Sequence, residues 1–240
     1  MSDEHSTFPM QDQLHAAAHR ESPGFYRFCQ IIVVSHYRVW HVLRAEGADK
    51  LPAHGGVIIA ANHQSHLDPP LLGAALPRIV HNLAKEELFH KPFLKWFLPA
   101  IGQVPVAREG SGAGMALKTG VKILREGKVL GVFPEGTRSR TGERQKARTG
   151  VVVLAAMADV PILPAYIWGT REAFPPKSKM PIPFKPIGIR YGDPFLLTAD
   201  EKNLKDRDRM ELTAERIMDR IFALAPGAES EPRETGTPHG

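Results

Sequence analysis

Four short blocks of this 240-residue chain hold residues that could do chemistry, and each follows or contains an apolar run. The first is Asn62-His63-Gln64-Ser65-His66-Leu67-Asp68. On one continuous helix His63 and Asp68 would point about 140° apart. If residues 64–67 instead form a turn before a helix opened by Asp68-Pro69-Pro70, the carboxylate can come back to the imidazole. That pair is a general-base dyad: the acid fixes the tautomer and steadies the imidazolium, and the imidazole takes a proton. A plainer role is open too, with Asp68 only capping the helix and His63 only ending a strand. The second block is Phe133-Pro134-Glu135-Gly136-Thr137-Arg138-Ser139-Arg140. Gly136 lets the backbone turn close to an anion. Arg138, Arg140, Arg144, Lys146 and Arg148 form a cationic loop suited to phosphate, which guanidinium groups grip bidentately. A merely solvated basic loop fits the same residues. The third block, Gly102-Gln103-Val104-Pro105-Val106-Ala107-Arg108, brings one cation to a strand end, where alone it reads as a surface charge. The fourth, Val160-Pro161-Ile162-Leu163-Pro164, alone reads as an apolar strand punctuated by proline.

The elements that must position these blocks alternate along the chain. Apolar runs at Gly56–Ala61, Ile79–Ala84, Val129–Phe133, Ile162–Ile167 and Ile187–Tyr191 read as strands. Between them stand a helix opening at Asp68, one from Ser111 to Glu126, one over Gly150–Ala158, and a charged amphipathic closing helix over 204–224. Strand and helix in this order predict one α/β domain with a mostly parallel central sheet flanked by helices. First blocks at strand-to-helix turns are where such folds keep their sites. Residues 1–24 read as a flexible N-terminus, 25–225 as the domain, and 226–240 as a disordered tail.

Charge narrows the partner. The formal net charge is +5. Four acids against one arginine in 1–24, and three against one in 226–240, leave a surplus of roughly +10 between them. That surplus suits an anionic partner. Residues 25–43, FYRFCQIIVVSHYRVWHVL, are too interrupted by Arg and His to span a bilayer, which takes about 20 mostly apolar residues. They fit better an N-terminal amphipathic, membrane-associating helix lying in the interface, with a helix packed on the domain as the alternative. Residues 88–101, LFHKPFLKWFLPAI, set aromatic groups beside Lys91 and Lys95 and fit the headgroup level, an acyl-groove wall or plain core. One cysteine, Cys29, excludes an internal disulfide. The N-terminal stretch carries no secretory signal.

Taken together, the four blocks resemble the glycerolipid acyltransferase family, and within it the bacterial-type 1-acylglycerol-3-phosphate (lysophosphatidic acid) acyltransferases. The family's Asn-His pair with an Asp five residues on matches Asn62, His63 and Asp68. Its Phe-Pro-Glu-Gly-Thr-Arg block matches Phe133–Arg138 without substitution, its Gly…Arg block matches Gly102–Arg108, and its Val-Pro-Ile-Leu-Pro block matches Val160–Pro164. The second of these carries Pro105-Val106 where many members have Phe-Ile. The resemblance spans about residues 25–195.

It implies His63 as catalytic base with Asp68. It implies that Arg108, Glu135, Gly136, Thr137 and Arg138 bind the acceptor's phosphate. The reaction would move a fatty acyl group from acyl-coenzyme A or acyl carrier protein to the sn-2 hydroxyl of 1-acyl-sn-glycerol-3-phosphate. Its product would be phosphatidic acid, in phospholipid biosynthesis. No cofactor beyond the thioester, no metal and no nucleic acid is implied. The expected place is the cytoplasmic face of the cell membrane, against an anionic lipid surface. Glycerol-3-phosphate, other lysophospholipids and acylated amino-acid lipids stay open as acceptors. A metal-dependent hydrolase built on His63, His66 and Asp68 lacks a second close ligand cluster in the sequence. A serine hydrolase fails because Glu109 stands where the Gly110-Ser111-Gly112 turn needs glycine. A non-catalytic lipid- or nucleic-acid-binding protein would account for the basic loop and leave the His63/Asp68 pair unexplained.

Overall fold

The computed structural model describes residues 22–106, 112–139 and 141–227. Most of the N-terminal and C-terminal segments expected to be flexible therefore lie outside the described residues, as do Arg108, Ser111 and Arg140. The element order is α1 (Pro23–Trp40), β1 (Val42–Glu46), β2 (Val57–Ala61), α2 (Asp68–Ala74), β3 (Val80–Lys85), α3 (Pro92–Ala100), β4 (Gln103–Val106) and α4 (Gly112–Arg125). Then come β5 (Val129–Val132), α5 (Gly150–Ala158), β6 (Ile162–Trp168), α6 (Thr170–Ala173), β7 (Pro186–Tyr191) and α7 (Arg207–Phe222).

Among the described residues seven strands form one sheet, in the order β1-β7-β6-β2-β5-β3-β4. All neighbours pair in parallel except β6 with β7. The central strand β2 is buried at every position, as strands covered on both faces are. Its alternation divides the core. Ile58 and Ala60 join Leu130 and Ile162 against α4, α5 and α7. Val57, Ile59 and Ala61 join Leu163 and Ile189 against α1 and α2. Each fully buried Leu or Ile contributes about 1.5–3 kcal/mol, so the two apolar layers hold the strand ends in register.

The expected single α/β domain with a mostly parallel sheet is the observed fold. Details differ for physical reasons. The first helix starts at Pro23, where the Ser22 side chain accepts from Phe25 N–H, and stops at Trp40. It does not reach residue 43, because residues from Val42 onward pair with β7. That strand is largely exposed and lacks alternation, so its sequence carries no strand signal. The closing helix begins at Arg207, with the Asp206 carboxylate accepting from Arg209 N–H. The aromatic stretch at 88–101 folds as a one-turn 3-10 segment followed by α3.

Candidate active site

Because β2 and β5 are adjacent and parallel, with Ala60 opposite Val132, the segments after them leave the sheet side by side. Those segments are the first and second sequence blocks. Asn62 makes the exit from β2. Its buried amide donates to Ile167 O (2.8 Å) and accepts from Ile167 N–H (2.7 Å), replacing a peptide unit in the ladder to β6. The main chain is then free to turn. His63 is fixed on both sides by the other block: its N–H donates to Glu135 Oε1 (3.2 Å), and its carbonyl accepts from Ser139 N–H (2.8 Å). Its ring lies on that of Phe133, with centroids 4.1 Å apart and planes 20° from parallel.

The dyad forms as the turn geometry allows. His63 Nδ1 is 2.8 Å from Asp68 Oδ2. The same oxygen accepts from Gln64 N–H (2.6 Å) and Ser65 N–H (2.7 Å). Asp68 is wholly buried and is already the first residue of α2, so its carboxylate turns back onto the preceding turn instead of capping forward. Three donors on one oxygen hold the anion in place. Asp68 Oδ1 has no partner among the described residues. With Nδ1–H committed to the carboxylate, Nε2 is the nitrogen left to accept a proton.

Glu135 is buried and spent on internal partners. Oε1 takes the His63 N–H and Oε2 the Gln145 amide (2.8 Å); no bond runs from it to Arg138. Burial pushes its carboxyl above the ordinary carboxylate value, against the two hydrogen bonds that pull it down. Gly136 has φ +72 in the turn closed by its N–H to Phe133 O. A Cβ there would lie 2.5 Å from Arg148 Nε, so the guanidinium rests directly on the glycine. Thr137 and Arg138 are exposed, and the Thr137 hydroxyl donates to Arg138 O (3.2 Å). Arg138 lies near enough to His66 to act with burial, the larger cause, in lowering that imidazole's pKa.

The cationic loop divides in two. Arg144 bonds Glu215 and Asp219, and Lys146 bonds Glu211, so these two anchor the loop to α7. Arg138 and Arg148 remain at the site. Arg108 is not described, but β4, which leads to it, ends at Val106 on the same edge of the sheet as β2 and β5. Thus His63, Asp68, Glu135, Gly136, Thr137 and Arg138 come together. The sequence gives no separate role to Asn62, Phe133 or Gln145, and places Arg148 only among the cations of the basic loop. The first two belong to the motif blocks, which is a signal. Gln145 and Arg148 reach the site only because the loop returns, with Arg148 N–H donating to Pro134 O (2.8 Å). No group of three or more His, Cys, Asp or Glu among the described residues is arranged to hold a metal ion.

A mostly parallel α/β sheet thus presents a buried-acid/imidazole pair, able to take a proton, beside a guanidinium-lined turn, able to hold an anion. A family model described as Acyltransferase matches residues 42–168. A 1-acyl-sn-glycerol-3-phosphate acyltransferase of Bacillus subtilis (strain 168) is 33% identical over 203 residues, 83% of this chain and 96% of its own length. One of Streptococcus pneumoniae is 27% identical over 199 residues, 80% of this chain and 70% of its own. The crystal structure of a 1-acyl-sn-glycerophosphate (LPA) acyltransferase from Thermotoga maritima shares the fold, with a TM-score of 0.64 at 23% identity over 93% of this chain and 88% of that one. This chain belongs to the glycerolipid acyltransferase family and is an O-acyltransferase.

Proposed function

We propose that the enzyme transfers a fatty acyl group from an acyl thioester, acyl-coenzyme A or acyl carrier protein, to the sn-2 hydroxyl of 1-acyl-sn-glycerol-3-phosphate, giving phosphatidic acid. The observation that carries this reading is the His63–Asp68 pair stitched through His63's own backbone to the Glu135–Ser139 loop. A base and an anion-binding turn that share hydrogen bonds keep a fixed separation. An acceptor held by its phosphate therefore presents its hydroxyl at one place.

In this mechanism Nε2 of His63 takes the hydroxyl proton while the oxygen attacks the thioester carbonyl carbon. Asp68 stabilises the imidazolium through Nδ1–H. The tetrahedral intermediate collapses with cleavage of the C–S bond, and the leaving thiolate recovers the proton from Nε2. No covalent enzyme intermediate is needed, because a thiolate leaves readily. Arg138 and Arg108 hold the phosphate, with Arg148 beside them. Gly136 and Thr137 shape the turn that brings the backbone close. Glu135 acts on the phosphate only indirectly, by fixing the loop. No cofactor beyond the thioester enters.

Both substrates carry long chains, so the enzyme meets them at an anionic membrane surface on the cytoplasmic side. No helix among the described residues is long and apolar enough to cross a membrane. Interfacial contact is supported by a run of exposed apolar groups: Phe28 is 59% exposed and Phe93 72%. Phe25 meets Phe97 edge-on at 6.1 Å, which joins α1 and α3 into one apolar surface.

The test is an acceptor panel offered with both donors and scored by mass spectrometry of the lipid product. Preference for 1-acyl-sn-glycerol-3-phosphate is expected; preference for glycerol-3-phosphate or an uncharged lysolipid sinks the assignment. In parallel, His63→Ala should lose about 10²–10⁴-fold in turnover while still sedimenting with anionic vesicles.

A further inference from the structure

At the end of α2 remote from Asp68, two cavities of about 660 and 380 Å³ open between α1, β1 and α2. Val34, Arg38, Ala74 and Ala75 line both, so they form one groove. The seven residues of α2, at 1.5 Å each, put it about 10 Å from the dyad. None of the active-site residues described above lines it.

The groove has a two-part chemistry. Its floor is apolar, made by Val34, Leu43, Ala74, Ala75 and Leu76. Its rim is basic. Arg27 is committed, donating to Gln30 and to the carbonyls of Leu76 and Pro77. Arg38 and Arg44 have no hydrogen-bond or carboxylate partner among the described residues. The one acid in the lining among the described residues, Glu46, is bound to Arg190 at 2.6 Å. Two guanidinium groups are therefore free to face an occupant. The walls are held in place, since Gln30 Nε2 donates to Gly73 O (2.7 Å) and Leu76 O (2.9 Å), and Tyr37 OH to Leu67 O (3.2 Å).

Helical spacing sets the groove beside the lipid-facing surface. Arg27, Ile31, Val34 and Arg38 recur along one flank of α1. Phe28, Ile32 and Val39, exposed by 59%, 51% and 76%, occupy the neighbouring flank. A free inorganic anion would use the arginines and leave the floor bare. An uncharged apolar molecule would leave two guanidinium groups unused. An amphiphile with an anionic head uses both.

We propose that this groove is a second lipid site, separate from the catalytic one, that takes an anionic phospholipid. Its phosphate sits on Arg38 and Arg44, and its chain lies along Val34, Leu43 and Ala75. The interfacial reading of α1 bears only on how such a lipid arrives, so the test uses lipid free of any membrane. The full chain is titrated by calorimetry with dihexanoyl phosphatidylglycerol below its micelle concentration.

Saturable one-to-one binding is expected. Arg38→Gln with Arg44→Gln should weaken it about tenfold or more, because charge-assisted bonds to phosphate are lost. The charge-matched pair Arg207→Gln with Arg209→Gln, on the exposed face of α7, should leave it unchanged. Should the first pair compromise folding, Ala75→Leu fills the floor while keeping both cations, and should weaken the lipid as well. Dihexanoyl phosphatidylcholine and inorganic phosphate should each bind at least tenfold more weakly. Absent binding, binding indifferent to both groove variants, or phosphate matching the lipid overturns the proposal. Failure to sediment with vesicles would instead strike the interfacial reading and leave this one standing.

Discussion

Replacing Asp68 by Asn separates the two things its carboxylate does for His63. Three donors converge on Oδ2: His63 Nδ1 at 2.8 Å, Gln64 N at 2.6 Å and Ser65 N at 2.7 Å. An amide can place only its oxygen there, since its NH₂ would face three N–H groups. The NH₂ must then occupy the position of Oδ1, which is buried without a partner among the described residues. The ring keeps its hydrogen bond and its tautomer, and what disappears is the negative charge. A charged acceptor is worth about 1–2 kcal/mol more than a neutral one. At 1.36 kcal/mol per decade, turnover should fall about 5- to 30-fold. Where such an exchange inverts the imidazole tautomer, the loss is instead about 10⁴-fold. Burying an unsatisfied NH₂ should also cost about 1–3 kcal/mol of stability. Asp68→Ala removes the acceptor itself and should lose about 10²–10⁴-fold. The assay is continuous detection of released thiol across a range of acceptor concentrations, with calorimetric melting beside it. The acceptor KM should hold, because the carboxylate touches no part of the phosphate site. Equal loss in the Asn and Ala variants, or an effect on KM in place of kcat, would refute the argument.

Other consequences follow from the same geometry. Asn62→Ala strands the buried N–H and C=O of Ile167, so stability should drop by about 2–4 kcal/mol, read as a lowered denaturant midpoint. Gly136→Ala meets a strained φ of +72 and pushes a Cβ to 2.5 Å from Arg148 Nε. The acceptor KM should rise about tenfold while the donor KM holds, and an unchanged acceptor KM would remove Gly136 from the phosphate turn. Glu135 has a folded pKa raised above its ordinary 4.5 by burial. Its contribution to stability is therefore fully present below about pH 4.5 and is lost as pH rises through the folded value. Relative to wild type, Glu135→Gln should gain stability between acid and neutral pH; urea titrations across that range would show the opposite trend if the carboxylate were held down by its hydrogen bonds.

Much of this was visible in residue types and spacing. The apolar runs at 56–61, 129–133 and 162–167 are strands within a residue or two of where periodicity sets them. A strand covered on both faces has to be apolar throughout, and the equally apolar stretch 151–158 is instead part of helix α5. His63 and Asp68 were legible because their separation is local, with the turn between them made by four residues. The cationic loop was legible only as a block. Its sequence could not divide Arg144 and Lys146, which bind α7, from Arg138 and Arg148, which stay at the site. Strand β1 was not legible: Val42 and Leu43 fell within the longer first helix and residues 44–46 in no element, since its pairing with β7 is a contact between residues far apart in the chain.

By itself, then, the sequence determined that His63 and Asp68 can pair across a four-residue turn, the turn chemistry of Gly136, and the alternation that makes an α/β sheet. Those are properties of neighbouring residues, set by side-chain type and backbone preference. The strand order alone decided that β2 and β5 lie side by side, so that the Glu135 carboxylate and the Ser139 amide can grip the backbone of His63. It also decided that α1 packs on α2 and leaves a groove lined by Arg38 and Arg44. Such adjacency arises from burying apolar faces of distant segments against each other, and no local pattern encodes it.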